Sequence, residues 1–160
     1  MANSNIVASK DDAKRKAELL HDMQRQSTLI GKSMYVESVT LEDFDLKMQL
    51  GRGAFGRVYL AELSITGKKY AIKAIRKDKI LDNGMLKVTK MEKDILCSIV
   101  HPFLCGMDYF FQTALRLYFV MPFIEGGDLF DMLKVKKRFT ETTVKFYAMQ
   151  LILGIDYLHK

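Results

Sequence analysis

Residues Leu50–Glu62 read LGRGAFGRVYLAE. Gly51, Gly53 and Gly56 fall in the spacing G-x-G-x-x-G, a loop that can hold a phosphate chain. The residues directly after the glycines decide the fold. A dinucleotide-binding turn needs a helix there, so that the helix N-terminus meets the pyrophosphate. A phosphate loop of the NTPase kind needs Gly-Lys-Ser/Thr to close it. Here Gly56 is followed by Arg57 and Val58, and the run RVYLAEL has the Val, Tyr and Leu content of a strand. The geometry left is a strand-turn-strand flap lying over the phosphates of ATP. The glycines would let the backbone approach those phosphates with no Cβ in the way, and Phe55 would close the tip. On this stretch alone, a glycine-rich hairpin without a ligand stays open.

Working outward, Phe44, Leu46, Met48 and Leu50 alternate with polar residues, the period of a strand. Val58, Tyr59 and Leu60 begin a second strand, Thr66 and Gly67 turn the chain, and YAIKAI (Tyr70–Ile75) forms a third. The pattern is an antiparallel meander with short connections. The period then changes. Val88, Met91, Glu92, Ile95 and Ile99 share one helical face, and Pro102 marks the end of that helix. Two strand-like runs come next, 105–111 and 115–121. FIEGGDLFDML reads as a turn opening a short helix. Thr140 caps a last helix over 142–159, with Val144, Tyr147, Ala148, Leu151, Ile155 and Leu158 apolar. Upstream, residues 1–9 read as disordered and 11–29 as a helix with a thin apolar stripe. Asp11 and Asp12 suit its N-terminus, and Gly31 ends it.

Two charges sit where apolar residues belong. Lys73 lies mid-strand in YAIKAI, and Glu92 lies on the apolar face of the next helix. An unpaired buried charge is expensive. Opposite charges on neighbouring elements ask to be paired. A plain buried salt bridge would satisfy them. An ATP flap predicts more: the lysine holds the α- and β-phosphates and the glutamate holds the lysine.

Bulk properties narrow the class. A chain of 160 residues, 49% hydrophobic, suits one compact domain with a core. The first ten residues lack the basic start and apolar run of a signal peptide, no run is long enough to span a membrane, and Ala2 stands where myristoylation requires Gly. A cytoplasmic protein, or a nuclear one, is the expectation. Cys97 and Cys105 sit in apolar surroundings and read as buried free thiols. Two cysteines and three histidines form no metal-ligand spacing. The formal charge of +6 is spread along the chain, so its basic clusters read as solvated faces and no nucleic-acid partner is expected.

The ordered set GRGAFGRV, YAIK, Glu92, MPFIEGGDLF and YLHK resembles the catalytic domain of eukaryotic protein kinases. TLEDF, IRKDKI, HPFLCGMDYFFQ, RLYFVM and RFTETTVKFYAMQLILGIDYLHK are most similar to the AGC group of serine/threonine kinases. The resemblance covers Val39 to Lys160. It implies an α+β fold: an N-terminal lobe with a five-stranded antiparallel sheet and an αC helix, then the first helices of the C-terminal lobe. The implied divisions are an extension over 1–38, the N-lobe and hinge over 39–124, and the start of the C-lobe over 125–160.

The resemblance also implies site roles. Leu50, Gly51, Arg52, Gly53, Ala54, Phe55, Gly56, Arg57 and Val58 would form the nucleotide flap. Val58 and Ala71 would cover the adenine. Lys73 would anchor phosphates and Glu92 would orient Lys73. Met121 matches the gatekeeper. The Pro122 carbonyl would accept from the adenine and the Ile124 N–H would donate to it. Proline departs from the commoner Glu, yet keeps the carbonyl that is used. Asp128 stands where many members carry Glu and would touch ribose and a substrate arginine, with a shorter reach. Leu96 and Met107 would join a spine between the lobes. Lys77, Leu81, Gln112 and Leu117 match a groove that takes a hydrophobic motif, from the C-terminal tail or a partner.

ATP, Mg2+ and a protein substrate are the implied ligands. In the family, the catalytic-loop aspartate and asparagine and the DFG aspartate come after YLHK. They would lie beyond Lys160, so neither a catalytic base nor a direct metal ligand is assigned. The expectation is an ATP-binding portion of a serine/threonine kinase that is inactive by itself. The alternative is a kinase-derived binding or regulatory module without catalysis.

Overall fold

The computed structural model describes residues 39–53, 56–82 and 84–160. The expected helix 11–29 and the flap residues Ala54 and Phe55 lie outside them. Five strands form one antiparallel sheet in the order β1-β2-β3-β5-β4. They are β1 (Phe44–Arg52), β2 (Gly56–Leu63), β3 (Lys69–Arg76), β4 (Tyr109–Gln112) and β5 (Arg116–Pro122). Among the described residues there are four α-helices: α1 (Lys77–Asp82), α2 (Leu86–Ser98), α3 (Leu129–Lys136) and α4 (Glu141–Leu158). This is the five-stranded antiparallel sheet with flanking helices that the resemblance implies.

Alternation along the strands sends side chains to two faces. One face gathers Phe44, Ala61, Tyr70, Ile72, Tyr118 and Val120 into a core, with Phe44 edge-on to Tyr70 at 5.7 Å between ring centroids. The other face sets Ile75, Phe110, Leu117 and Phe119 against Ile80 of α1 and Leu86 of α2. β3 is central and serves both: Tyr70 and Ile72 point one way, Ala71 and Lys73 the other.

In β1 the strand period is right, but it does not mark one buried face. Register shifts fall between Leu46 and Met48 and between Gln49 and Gly51. Leu46 and Met48 oppose the adjacent residues Ala61 and Leu60, so they point to opposite faces, as a bulge requires. Only Phe44 is buried in this strand; Leu46, Met48 and Leu50 are 43%, 58% and 41% exposed.

The α2 helix corrects the expected apolar face. It buries Leu86, Thr89 and Lys93, while Val88, Met91 and Ile95 are exposed. The helix carries two apolar stripes, and the sheet takes the one with Leu86 and half-buried Leu96 and Cys97. A buried lysine on that side hides the stripe in the sequence. The Lys93 ammonium lies 5.1 Å from the centre of the Phe110 ring, where a cation is attracted to the π-face.

The run expected as a strand over 105–111 is shorter, Tyr109–Gln112. The backbone before it is used elsewhere: the Met107 N–H donates to the Leu96 carbonyl at 3.1 Å. Helix α1 has no signature in the sequence, because six residues are too few to show a period. Thr140 caps α4 as expected, its side chain accepting from the Thr143 N–H. Cys97 and Cys105 are free thiols, but neither is buried as expected: Cys97 is half-buried at the edge of the core and Cys105 is exposed in the loop before β4.

Helix α4 rests on the loop between α2 and β4. Gly154 is buried there, and a Cβ on it would stand 3.2 Å from Leu104 Cδ2. The Tyr157 hydroxyl accepts from the Val100 N–H at 3.1 Å, and its ring lies 5.0 Å from that of His101. Most of the other apolar residues of α4 are exposed, Leu151 and Ile152 by 61% and 65%. No helix among the described residues is long and apolar enough to cross a membrane.

Candidate functional site

β3 holds Lys73 directly between Val58 of β2 and Phe119 of β5. Cross-strand partners share a face. Gly51, Val58, Lys73 and Phe119 therefore form one row, and Leu60, Ala71 and Met121 the next. α2 runs beside this face and brings Glu92 to it. Lys73 Nζ lies 2.6 Å from Glu92 Oε1 and 5.9 Å from the centre of the Phe119 ring. The side chains keep 34% and 38% of their exposure. They are therefore not a sealed ion pair. A pair this open contributes at most about 1 kcal/mol to stability, and its ammonium has protons left for a second acceptor.

The three glycines do different work. A Cβ at Gly51 or Gly53 would meet nothing within 4 Å, whereas one at Gly56 would collide with the Ala74 carbonyl oxygen and stand 3.1 Å from Ile75 Cα. Gly56 is required by the packing of β2 on β3. Internal packing gives no reason for the other two, which leaves room for a ligand to approach the backbone. The Gly53 N–H donates to the Gly56 carbonyl at 2.9 Å and closes the hairpin.

β5 leads into the linker. The Phe123 N–H donates to the Lys69 carbonyl at 3.4 Å. That makes Lys69–Phe123 a hydrogen-bonded pair, so the neighbouring pair Tyr70–Pro122 is of the non-bonded kind and the Pro122 carbonyl points away from β3. Proline at 122 thus costs the β3–β5 ladder nothing. Ile124 is 69% exposed, and its N–H has no partner among the described residues. Asp128 is the N-cap of α3: its Oδ1 accepts from the Asp131 N–H at 2.8 Å. Leu96 and Met107 are joined through their backbones, and Met107 is buried.

Of the residues matched to the hydrophobic-motif groove, Lys77, Leu81 and Gln112 are half-buried. Burial pushes the Lys77 ammonium below its ordinary pKa. Leu117 is wholly buried in the core, so it cannot serve as an exposed wall residue as the resemblance implies. Gln112 Nε2 is buried with no hydrogen-bond partner among the described residues.

The opposite side of the sheet holds a grouping that the sequence does not suggest. Arg52, Arg57, Arg76, Lys79 and Arg116 surround a hollow of about 350 Å3 floored by Tyr59 and Tyr118. Arg52 faces Arg57 across β1–β2, and Arg76 faces Arg116 across β3–β5. Arg76 and Lys79 belong to the basic run RKDK (76–79), which reads as a solvated face, but Arg52, Arg57 and Arg116 come from distant parts of the chain and only the strand register adds them. The hollow lies behind the sheet, away from Lys73 and Glu92.

The protein kinase domain family matches residues 44–160. The chain is 42% identical over 124 residues to "Protein kinase 2" of Dictyostelium discoideum, covering 78% of this chain and 26% of that protein. It is 40% identical over 142 residues to the RAC serine/threonine-protein kinase of Drosophila melanogaster, with 89% and 23% covered. It is 39% identical over 145 residues to the cAMP-dependent protein kinase catalytic subunit of Schizosaccharomyces pombe, with 91% and 28% covered. The chain belongs to the protein kinase family. It carries an N-terminal portion of a catalytic domain related to the AGC-group serine/threonine kinases, and it spans about a quarter of the length of these curated relatives.

Proposed function

We propose that this chain is the ATP-binding portion of a serine/threonine protein kinase, with 39–124 as the small lobe and linker and 125–160 as the start of the larger lobe. The carrying observation is the Lys73–Glu92 pair at 2.6 Å, open to solvent on the face shared with Val58 and Ala71. In this reading Val58, Ala71 and Met121 bound the adenine. The Pro122 carbonyl accepts from it and the Ile124 N–H donates to it. Leu50 to Val58 cover the phosphates, and Lys73 bonds the α- and β-phosphates while Glu92 holds the ammonium in place. The open approach to Gly51 and Gly53 and the unpartnered Ile124 N–H fit such a ligand. Asp128 keeps one carboxylate oxygen for a ribose hydroxyl, the other being committed to the α3 cap.

Magnesium is not placed. No three His, Cys, Asp or Glu side chains converge among the described residues, so no step is derived through the metal. Phosphoryl transfer needs positioning of both substrates and stabilisation of the charge that develops. The groups described here serve only the nucleotide, and the chain by itself is proposed to be inactive. The protein substrate would be bound by residues outside this chain. A hydrophobic motif, from a C-terminal tail or a partner, would dock at Lys77, Leu81 and Gln112.

An NMR titration of the 160-residue chain with ATP tests the nucleotide reading. Saturable shifts at the Val58, Ala71 and Ile124 amides, lost in Lys73→Met, are expected. Unperturbed amides at those positions up to millimolar ATP would overturn it. Phosphorylation of a basic peptide by the pure chain would overturn the proposed inactivity.

A further inference from the structure

Lys69 grips the linker twice. Its carbonyl accepts the Phe123 N–H at 3.4 Å, and its ammonium meets Glu125 Oε1 at 2.9 Å. Phe123 and Glu125 flank Ile124, whose own N–H has no partner among the described residues. The backbone bond is long for N–H to O, and among the described residues the Ile124 N–H adds no further bond after it. The ladder alone therefore holds the linker weakly at this point. Beyond Glu125 come Gly126 and Gly127 with φ of 104° and 75°, values that glycine adopts readily. The linker thus has one end tied to β3 and one end that turns, with Glu125 the last side chain before the turn.

We infer that Lys69 and Glu125 are a positioning pair: together they hold the Ile124 N–H in the direction set by β5, and the chain becomes free to rotate only from Gly126 onward. This rests on the proposed nucleotide site for its purpose, but not for its geometry. Neither residue is assigned a contact with the nucleotide. The Glu125 carboxylate raises the Lys69 pKa, with a smaller contribution from Glu62 across β2–β3, so the ammonium stays charged through neutral pH.

The test uses the 160-residue chain, first without nucleotide and then with ATP. Lys69→Gln and Glu125→Gln each remove the pairing at exposed positions, where folding is not threatened. Each is expected to speed amide exchange at Phe123 and weaken ATP binding, by about threefold, the size of an exposed pair. The double variant should be no worse than either single one. Lys69→Arg should restore wild-type exchange, and about 0.5 M salt should shrink the difference from wild type.

Single variants that match wild type in exchange, or effects that add in the double variant, would overturn the pairing. If exchange responds as expected and ATP does not bind, the pairing stands and the nucleotide reading fails. If ATP binds and neither variant changes exchange or affinity, the pairing fails and the nucleotide reading stands.

Discussion

The Lys73 ammonium and the Glu92 carboxylate meet at 2.6 Å although they are 19 residues apart and lie on different elements. The contact joins the central strand to α2 on the side of the sheet that remains partly open. Both side chains keep about a third of their exposure, so the pair is poor as a stabilising device and well placed as a binding one. Lys73→Ala and Glu92→Ala should each change stability by under about 1 kcal/mol. Each should nonetheless weaken ATP binding, and their effects should not add, because each acts through the other. Thermal melts and ATP titrations of both singles and the double variant check this. A large loss of stability in either single would show that the pair is structural.

The glycine stretch should divide in two. Gly56→Ala drives a Cβ into the Ala74 carbonyl, which is backbone and cannot swing aside. It should cost about 1–3 kcal/mol or more. Gly51→Ala and Gly53→Ala meet no atom within 4 Å and should stay within about 0.5 kcal/mol of wild type, while weakening ATP binding. Urea denaturation separates the two classes.

Alkaline pH should loosen the sheet through Tyr70. Burial, then the Tyr109 hydroxyl beside it, pushes the Tyr70 phenol from 10.0 up to about 12. Between these values the unfolded chain gives up the proton and the folded chain keeps it, so stability falls as pH rises through that window. Lys68 works in the same direction: Asp108 raises its pKa, and the pairing is lost when the ammonium deprotonates. Urea midpoints at about pH 9.5 and 11.5 should fall less in Tyr70→Phe than in wild type. The slope that remains includes Lys68. Equal slopes in the two proteins would remove Tyr70 as a cause.

The open face of α4 should make the chain associate. Leu151, Ile152 and Ile155 are all more than half exposed on this helix, a concentration of apolar surface that favours contact with other molecules. Ile152→Glu should shift the sedimentation distribution toward monomer without moving the melting temperature. Gly154→Leu should instead lower the melting temperature, because it pushes into Leu104. A wild-type chain that sediments as a single monomer at high concentration would contradict this.

Much of the fold was legible because it is written in local periods. Alternation marked β1, strand-forming residues on either side of the Thr66–Gly67 turn marked β2 and β3, the change to helical spacing marked α2, and Thr140 marked the start of α4. Lys73 could be picked out because it interrupts an apolar run, and Glu92 because it shares a helical face with Val88, Met91 and Ile95, although that face is exposed. The face of α2 that meets the sheet was not legible. Val88, Met91 and Ile95 look like the buried stripe, but Lys93 takes an inside position by laying its ammonium near the Phe110 ring. The bulges of β1 were equally hidden, since a single extra residue changes which face a side chain takes without changing the composition.

The sequence by itself determined the order of the strands and of the longer helices, the family, and the choice of Lys73 and Glu92 as misplaced charges of opposite sign, because periodicity, glycine spacing and misplaced charges are all carried by near neighbours in the chain. Only the tertiary structure decided which apolar stripe of α2 is inside, that Gly56 answers to Ala74, that Lys69 reaches Glu125, and that five cations from β1, β2, β3, α1 and β5 ring one hollow behind the sheet. Those outcomes depend on strand register and helix docking, which bring together residues tens of positions apart. Their cost or benefit exists only once the backbones are side by side.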